Sequence, residues 1–310
     1  MPGTPGFRWQ HLQRYWIFED DMISRLLTAI PRLFGSKGGS AAVPAAAATL
    51  EDSGNAPDAS RRTPIDEMIP DYSVASYVGD AGAEQFKIVG SVMLDWFKTY
   101  CGLRPDENVL EVGCGIGRIA IPLTQYLTQG RYVGFDIVPH GIEWCAKKVT
   151  PRYPNFTFLL ADVYNQYYHP EGRQPASEYT FPLDDNSIDF VYLTSVFTHM
   201  MPRDIEHYMA EIGRVLKPGG RCFFTAYIIC DEARRELSAG TSLRAFVLHP
   251  EGFWSDTPDN PETAVAYTQE FLNGALGKAG LAAPQIIHGH WWKVQFAQDI
   301  LIAHKPRIGD

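Results

Sequence analysis

A mainly parallel α/β sheet is the fold class this sequence predicts, and three observations predict it. Short apolar runs of strand type at Val109–Val112, 131–137, Phe156–Leu160, Ile188–Leu193 and 221–227 alternate with stretches of helical periodicity. The first run leads straight into a turn with glycines at 113, 115 and 117. Carboxylates mark three successive strand ends, at Glu111, Asp136 and Asp162. In open α/β sheets the carboxyl ends of the strands form one edge, and ligands bind there.

Each element follows from its residues. The stretch 83–101 puts Phe86, Val89, Met93, Trp96, Phe97 and Tyr100 on one helical face. Val109–Val112 is the first strand, and 118–127 is the helix behind the glycine turn. Ile205, Tyr208, Met209, Ile212, Val215 and Leu216 recur at helical spacing and run into LKPGGR at 216–221, with the fifth strand at 221–227. A last helix at 270–279 precedes two closing strands at 285–288 and 295–303.

The glycine turn carries the chemistry. Glycine admits backbone angles and close approaches that a Cβ would block, and a helix N-terminus behind the turn presents free N–H groups. The spacing here is G-x-G-x-G, whereas the dinucleotide fingerprint is G-x-G-x-x-G. With Glu111 just ahead of it, the pattern is that of an S-adenosylmethionine (SAM) site. Asp136 lies 23 residues after Gly113, at a strand tip, where an acid can accept from ribose hydroxyls. Asp162 is placed to accept from an adenine amino group, with the Val163 amide as a donor.

The motifs EVGCGIG (111–117), GFDIV (134–138), LLADV (159–163), FPLDDNSIDFVYLTSVFTHM (181–200) and LKPGGR (216–221) stand in one order and spacing. Through them residues 82–304 resemble a class I SAM-dependent methyltransferase. SVFTHM (195–200) and QDILIAHK (298–305) further resemble a bacterial small-molecule subgroup. The resemblance implies a Rossmann-like seven-stranded, mostly parallel sheet with an antiparallel closing strand and helices on both faces. It implies SAM as the cofactor, held by Glu111, Gly113, Cys114, Gly115, Gly117, Asp136, Ile137, Asp162, Val163 and Thr194, with Tyr77 closing the pocket from upstream.

Composition narrows the rest. The chain has 310 residues, a net charge of −9 and five scattered cysteines without a C-x-x-C pair. That argues for reduced thiols in a cytoplasm and against a disulfide framework or a metal site. A negative protein meets repulsion from a phosphate backbone, so no nucleic-acid partner is expected. No stretch approaches the roughly 18 apolar residues of a membrane span. Residues 1–65 read as an N-terminal extension: a linker composition at 37–58 follows a short amphipathic stretch at 22–34, suited at most to weak surface association. Residues 66–310 form the expected catalytic domain, with 228–268 as an insertion or lid on the substrate side. The oligomeric state is not legible.

His199, after the fourth strand, is the candidate base, because histidine titrates near neutrality. His288, His290, Trp291 and Trp254 are the candidate substrate contacts. An Asn/Asp-Pro-Pro-aromatic run is missing after the fourth strand, where Thr194-Ser195-Val196-Phe197 stands, and no Pro-Cys nucleophile is present. A small-molecule, lipid or saccharide acceptor remains, methylated at oxygen. Two alternatives are a non-catalytic SAM-binding module acting through a protein partner and an NAD-dependent oxidoreductase. The glycine spacing and the missing Tyr-x-x-x-Lys pair speak against the second.

Overall fold

The chain is described by a computed structural model over residues 65–70, 82–166, 168–294, 297–307 and 309. Most of the N-terminal extension, its amphipathic stretch at 22–34 and Tyr77 lie outside the described residues.

Strands β1 (Val109–Val112), β2 (Tyr132–Asp136), β3 (Phe156–Leu160), β4 (Ile188–Leu193) and β5 (Leu216–Ile228) lie in the order β3-β2-β1-β4-β5, all parallel. The insertion adds β6 (Val247–Leu248), β7 (Trp254–Ser255) and β8 (Val265–Tyr267). Near the C-terminus, β9 (Gln285–Ile287) and β10 (Asp299–His304) complete the sheet: β10 runs antiparallel to β5, and β9 antiparallel to β10. The central sheet is therefore the expected seven strands with an antiparallel member near the end. Chain order reverses between β1 and β4, which makes the crevice above them the topological switch point where such sheets bind ligands.

Strand residues alternate between two cores, as a pleat of period two requires. Leu110, Val112, Val191 and Leu193 face one layer, built with Ile205, Met209 and Ile212 of α4 (Pro202–Val215) and Leu272 and Leu276 of α6 (Gln269–Lys278). Val109, Tyr132, Phe190, Tyr192 and Phe223 face the other. There they meet Phe86 and Phe97 of α1 (Ala83–Tyr100), Ile121 of α2 (Ala120–Leu123) and Ile142 and Cys145 of α3 (Pro139–Lys148). The Phe97 ring packs edge-on against Phe190 and Phe223 at 5.0 and 5.1 Å.

Two local expectations are corrected. The helix expected at 118–127 is regular only over Ala120–Leu123. The Thr124 hydroxyl donates to the Ile121 carbonyl at 2.6 Å, the Gln125 amide donates to Pro122 instead, and the segment finishes in tight turns. The fifth strand begins at Leu216 rather than 221, because residues between Leu216 and Arg221 bulge out between their partners Ile188 and Phe190. The insertion at 228–268 is ordered: α5 (Asp231–Ala239), then a β6–β7 hairpin, then β8, which pairs with the last two residues of β5.

A buried ion network fastens the sheet's rear edge. Glu107, 1% exposed, accepts from both Arg221 terminal nitrogens at 2.8 and 2.7 Å and from Arg104 at 2.7 Å. Removing a buried charge's partner is strongly destabilising. Arg221→Met is expected to lower unfolding free energy by about 3 kcal/mol, read as a lower denaturant midpoint at unchanged slope.

Candidate functional site

The site starts at the carboxyl end of β1. Gly113, Gly115 and Gly117 have φ of 76°, 52° and 80°, the left-handed region that glycine enters without steric cost. Close packing adds to this demand. A Cβ on Gly113 would sit 2.5 Å from Val196 Cγ2, and one on Gly141, in α3, would sit 2.6 Å from the Gly115 carbonyl oxygen. The turn is held from β2: the Gly115 amide donates to Asp136 Oδ2 at 2.7 Å, and the Val138 amide donates to Oδ1 at 2.9 Å.

Beneath the turn, Glu111 is 2% exposed and accepts from the Tyr132 hydroxyl and, at 2.6 Å, from the Tyr192 hydroxyl. Burial pushes its carboxyl up to about 8, and the two hydroxyls offset part of that rise. Burial also raises Asp136, offset by the amides of Gly115, Val138 and Ile137.

Above the β1–β4 reversal lies a cavity of about 290 Å³. Its walls include Glu111, Gly113, Cys114, Gly115, Asp136, Ile137, Val163, Thr194 and His199, so nine of the residues singled out in the sequence converge on one space. Four residues that sequence reasoning missed also line it: Tyr168 on the loop after β3, Asp204 and Tyr208 of α4, and Glu262 of the insertion. Asp204 carried a local signal, since it sits at the third position of α4 and accepts from the Met201 amide at 3.3 Å. Glu262 carried none, because the segment around it has no periodicity.

His199 follows β4 in a short 3-10 turn, Phe197–His199. Its Nδ1 lies 2.9 Å from the Glu262 carbonyl oxygen. A carbonyl only accepts, so Nδ1 carries the hydrogen and Nε2 keeps the lone pair. Burial lowers its pKa, offset by the Glu262 carbonyl, with the Arg244 charge adding to the lowering. The imidazole is therefore neutral at pH 7. Burial conversely raises Asp204 and Glu262.

Six singled-out residues do not line the cavity. Gly117 packs against α3, where a Cβ would meet Cys145 Sγ at 2.9 Å. Asp162 turns outward to Arg173, whose Nε donates at 2.5 Å and whose charge helps hold the carboxyl below its usual value. Trp254 pairs into the β6–β7 hairpin under the Arg234 guanidinium, 5.5 Å from the ring. The last three belong to the turn after β9. His288 Nδ1 donates to the fully buried Asp299 at 3.0 Å. Trp291 donates to the Ile228 carbonyl at 3.1 Å and is buried against Tyr227 and Phe246. His290 meets Trp292 edge-on at 5.2 Å. This turn thus builds a third apolar cluster with the insertion instead of a substrate wall.

Residues 110–224 match the methyltransferase domain family. A phthiotriol/phenolphthiotriol dimycocerosates methyltransferase of Mycobacterium tuberculosis is 35% identical over 114 residues, which cover 37% of this chain and 35% of that protein. A tRNA N(3)-cytidine methyltransferase of Gallus gallus is 25% identical over 195 residues, covering 60% and 45%. The chain spans about a third of the length of the mycobacterial relatives it matches. Among solved structures, the PH0226 protein of Pyrococcus horikoshii superposes with a TM-score of 0.50 at 17% identity, over 76% of this chain and 98% of that one. That likeness concerns the fold.

Two outcomes are expected from this geometry. Gly141→Ala should displace the Gly115 carbonyl and weaken binding of S-adenosylhomocysteine at least about tenfold by calorimetry, an energy of about 1.4 kcal/mol, while the protein stays folded. The second concerns pH. The unfolded chain releases the Glu111 proton near pH 4.5, but the folded chain holds it to about 8. This group's contribution is fully present below 4.5 and is lost as pH rises to about 8. Glu111→Gln should therefore flatten the fall in stability across that window, measured by denaturant titration of the ligand-free protein.

Proposed function

The domain at residues 110–224 belongs to the class I SAM-dependent methyltransferases, and on that premise we propose that the chain methylates an oxygen of a small-molecule, lipid or saccharide acceptor, with His199 as the base. The observation that carries the proposal is the presence of His199, with its lone pair on Nε2, in the same cavity as the glycine turn.

The cofactor is SAM, and the residues present fit it. Gly113 and Gly115 bring main chain without a side chain to the cavity wall. Asp136 has oxygens with lone pairs left beyond the amides of Gly115, Val138 and Ile137, and such an acid suits ribose hydroxyls. Carboxylates and tyrosine rings around the cavity favour a cation. Bound there, SAM supplies a methyl group made electrophilic by its sulfonium.

The chain's own residues do the remaining work. Tyr168, Tyr208, Asp204 and Glu262 line the cavity together with His199. Held by the Glu262 carbonyl, His199 offers Nε2 to the acceptor hydroxyl and takes its proton there. Positioning can supply about 7–11 kcal/mol of a barrier, and a placed base adds roughly 10²–10⁴-fold.

The acceptor class is supported by charge. At −9, with an acid-lined cavity, the chain suits a neutral or cationic acceptor better than a polyanion. The mycobacterial relative is by name a methyltransferase of a lipid-like acceptor, and the Gallus relative is by name a tRNA methyltransferase. Among the described residues no helix is long and apolar enough to cross a membrane. A cytoplasmic site of action accords with the scattered thiols.

The test is transfer of radiolabelled methyl from SAM into separate lipid, polar small-molecule and tRNA fractions. Label in either of the first two is expected. Label in tRNA alone would reject the acceptor class. With a labelled acceptor in hand, His199→Ala should cut turnover about 10²–10⁴-fold while SAM affinity stays within a few-fold. Equal loss of both would leave His199 as a cofactor contact. For the wild type, kcat/KM should rise with pH through an apparent pKa below the ordinary histidine value and stay level above it.

A further inference from the structure

The insertion reaches the cavity through one short turn, Pro261–Thr263. The turn is braced from within: the Thr263 hydroxyl and amide both donate to the Asn260 carbonyl, at 2.8 and 3.1 Å, and the Asn260 amide donates to Thr257 at 2.9 Å. Glu262 stands at its centre and makes two kinds of contact. Its main-chain carbonyl accepts from His199 Nδ1. Its carboxylate Oε2 accepts from Asn165 Nδ2 and from the Gln166 amide, both at 3.1 Å. Asn165 in turn accepts from the Tyr168 amide at 3.0 Å, and the Tyr168 ring meets His199 edge-on, 5.7 Å between centroids.

One residue of the insertion thus ends a closed circuit: Glu262 to His199 by main chain, Glu262 to Asn165 by side chain, and Asn165 through Tyr168 back to His199. We propose that Glu262 is the positioning residue of His199, so that the insertion, not the central sheet, decides which imidazole nitrogen is basic. This rests on reading His199 as the base. The carboxylate's partners in the circuit are neutral donors, so its acceptor geometry matters here and a glutamine oxygen meets the same need. The charged groups facing His199 are Arg244 and Asp256, which act on it in opposite directions and are joined to each other at 2.6 Å. The remaining influences on it are the main chain at Glu262 and Thr263 and the Tyr168 ring.

The experiment needs no acceptor. Protein carrying ring-¹⁵N histidine is titrated by NMR, with His199→Gln identifying the signal and S-adenosylhomocysteine calorimetry confirming that each variant is folded. At pH 7 the wild type should show hydrogen on Nδ1 and a bare Nε2. Glu262→Ala should give mixed tautomers and, with the offset from the Glu262 carbonyl weakened, move the His199 midpoint further below the ordinary histidine range. Glu262→Gln should match the wild type. Asn165→Asp keeps the acceptor for the Tyr168 amide but sets a carboxylate against Glu262, so it should reproduce the mixed tautomers without touching the turn. It decides the matter should Glu262→Ala fail to fold. If His199 holds Nδ1–H in the wild type and neither Glu262→Ala nor Asn165→Asp disturbs it, the positioning role is refuted while the base survives. If Glu262→Gln behaves like alanine, neutral-acceptor geometry is refuted. If the wild type carries its hydrogen on Nε2, the base reading itself falls.

Discussion

The shape of this site depends on a carboxylate bonded to the main chain of the glycine turn. Asp136 closes β2 and takes the Gly115 amide at 2.7 Å, while its other oxygen takes the Val138 amide. A turn of positive-φ glycines has little reason to keep one shape, since glycine loses more freedom on ordering than any other residue. The Asp136 bonds supply that reason, and α3 supplies a second by packing Gly141 under the Gly115 carbonyl. Strand pairing between β1 and β2 then becomes the geometry of the binding surface. A shift of one residue in that register would carry the carboxylate to the wrong side of the turn.

The parts legible in the sequence are those determined locally. Val109–Val112 with its glycines, and the fall of Asp136 at a strand tip, are short-range patterns, and the structure places the strand, the turn and Asp136 around one cavity. Asp162 had the same pattern and a different outcome. Arg173, eleven residues on, turns back and neutralises it, and no periodicity announces such a pairing. His288, Trp291 and Trp254 read as a binding cluster because aromatic and imidazole groups serve both cores and sites. Which one they serve depends on Tyr227 and Phe246 from distant segments, and on the buried Asp299.

The insertion shows a similar limit from the other side. Trp254 stood out in the sequence, yet it lies under Arg234 of the insertion itself, and Phe246 packs under Trp291 of the turn after β9. Its contribution to the cavity is a glutamate in a proline-rich turn whose main-chain oxygen matters as much as its carboxylate. Main-chain contacts leave no mark on residue identity, so this link is visible only once the chain is folded.

Glu111 carries one consequence further. A carboxyl group that burial inclines to keep its proton at neutral pH, in the wall of the cavity, would make binding of a cation beside it a proton-releasing event. Positive charge arriving beside it favours the ionised form, so the complex sheds hydrogen ions that the free protein held. Affinity then tightens as the solution is made more alkaline toward pH 8, and the heat of binding changes with the ionisation enthalpy of the buffer. The strand beneath the glycine turn thereby couples occupancy of the site to the acidity of the surrounding medium.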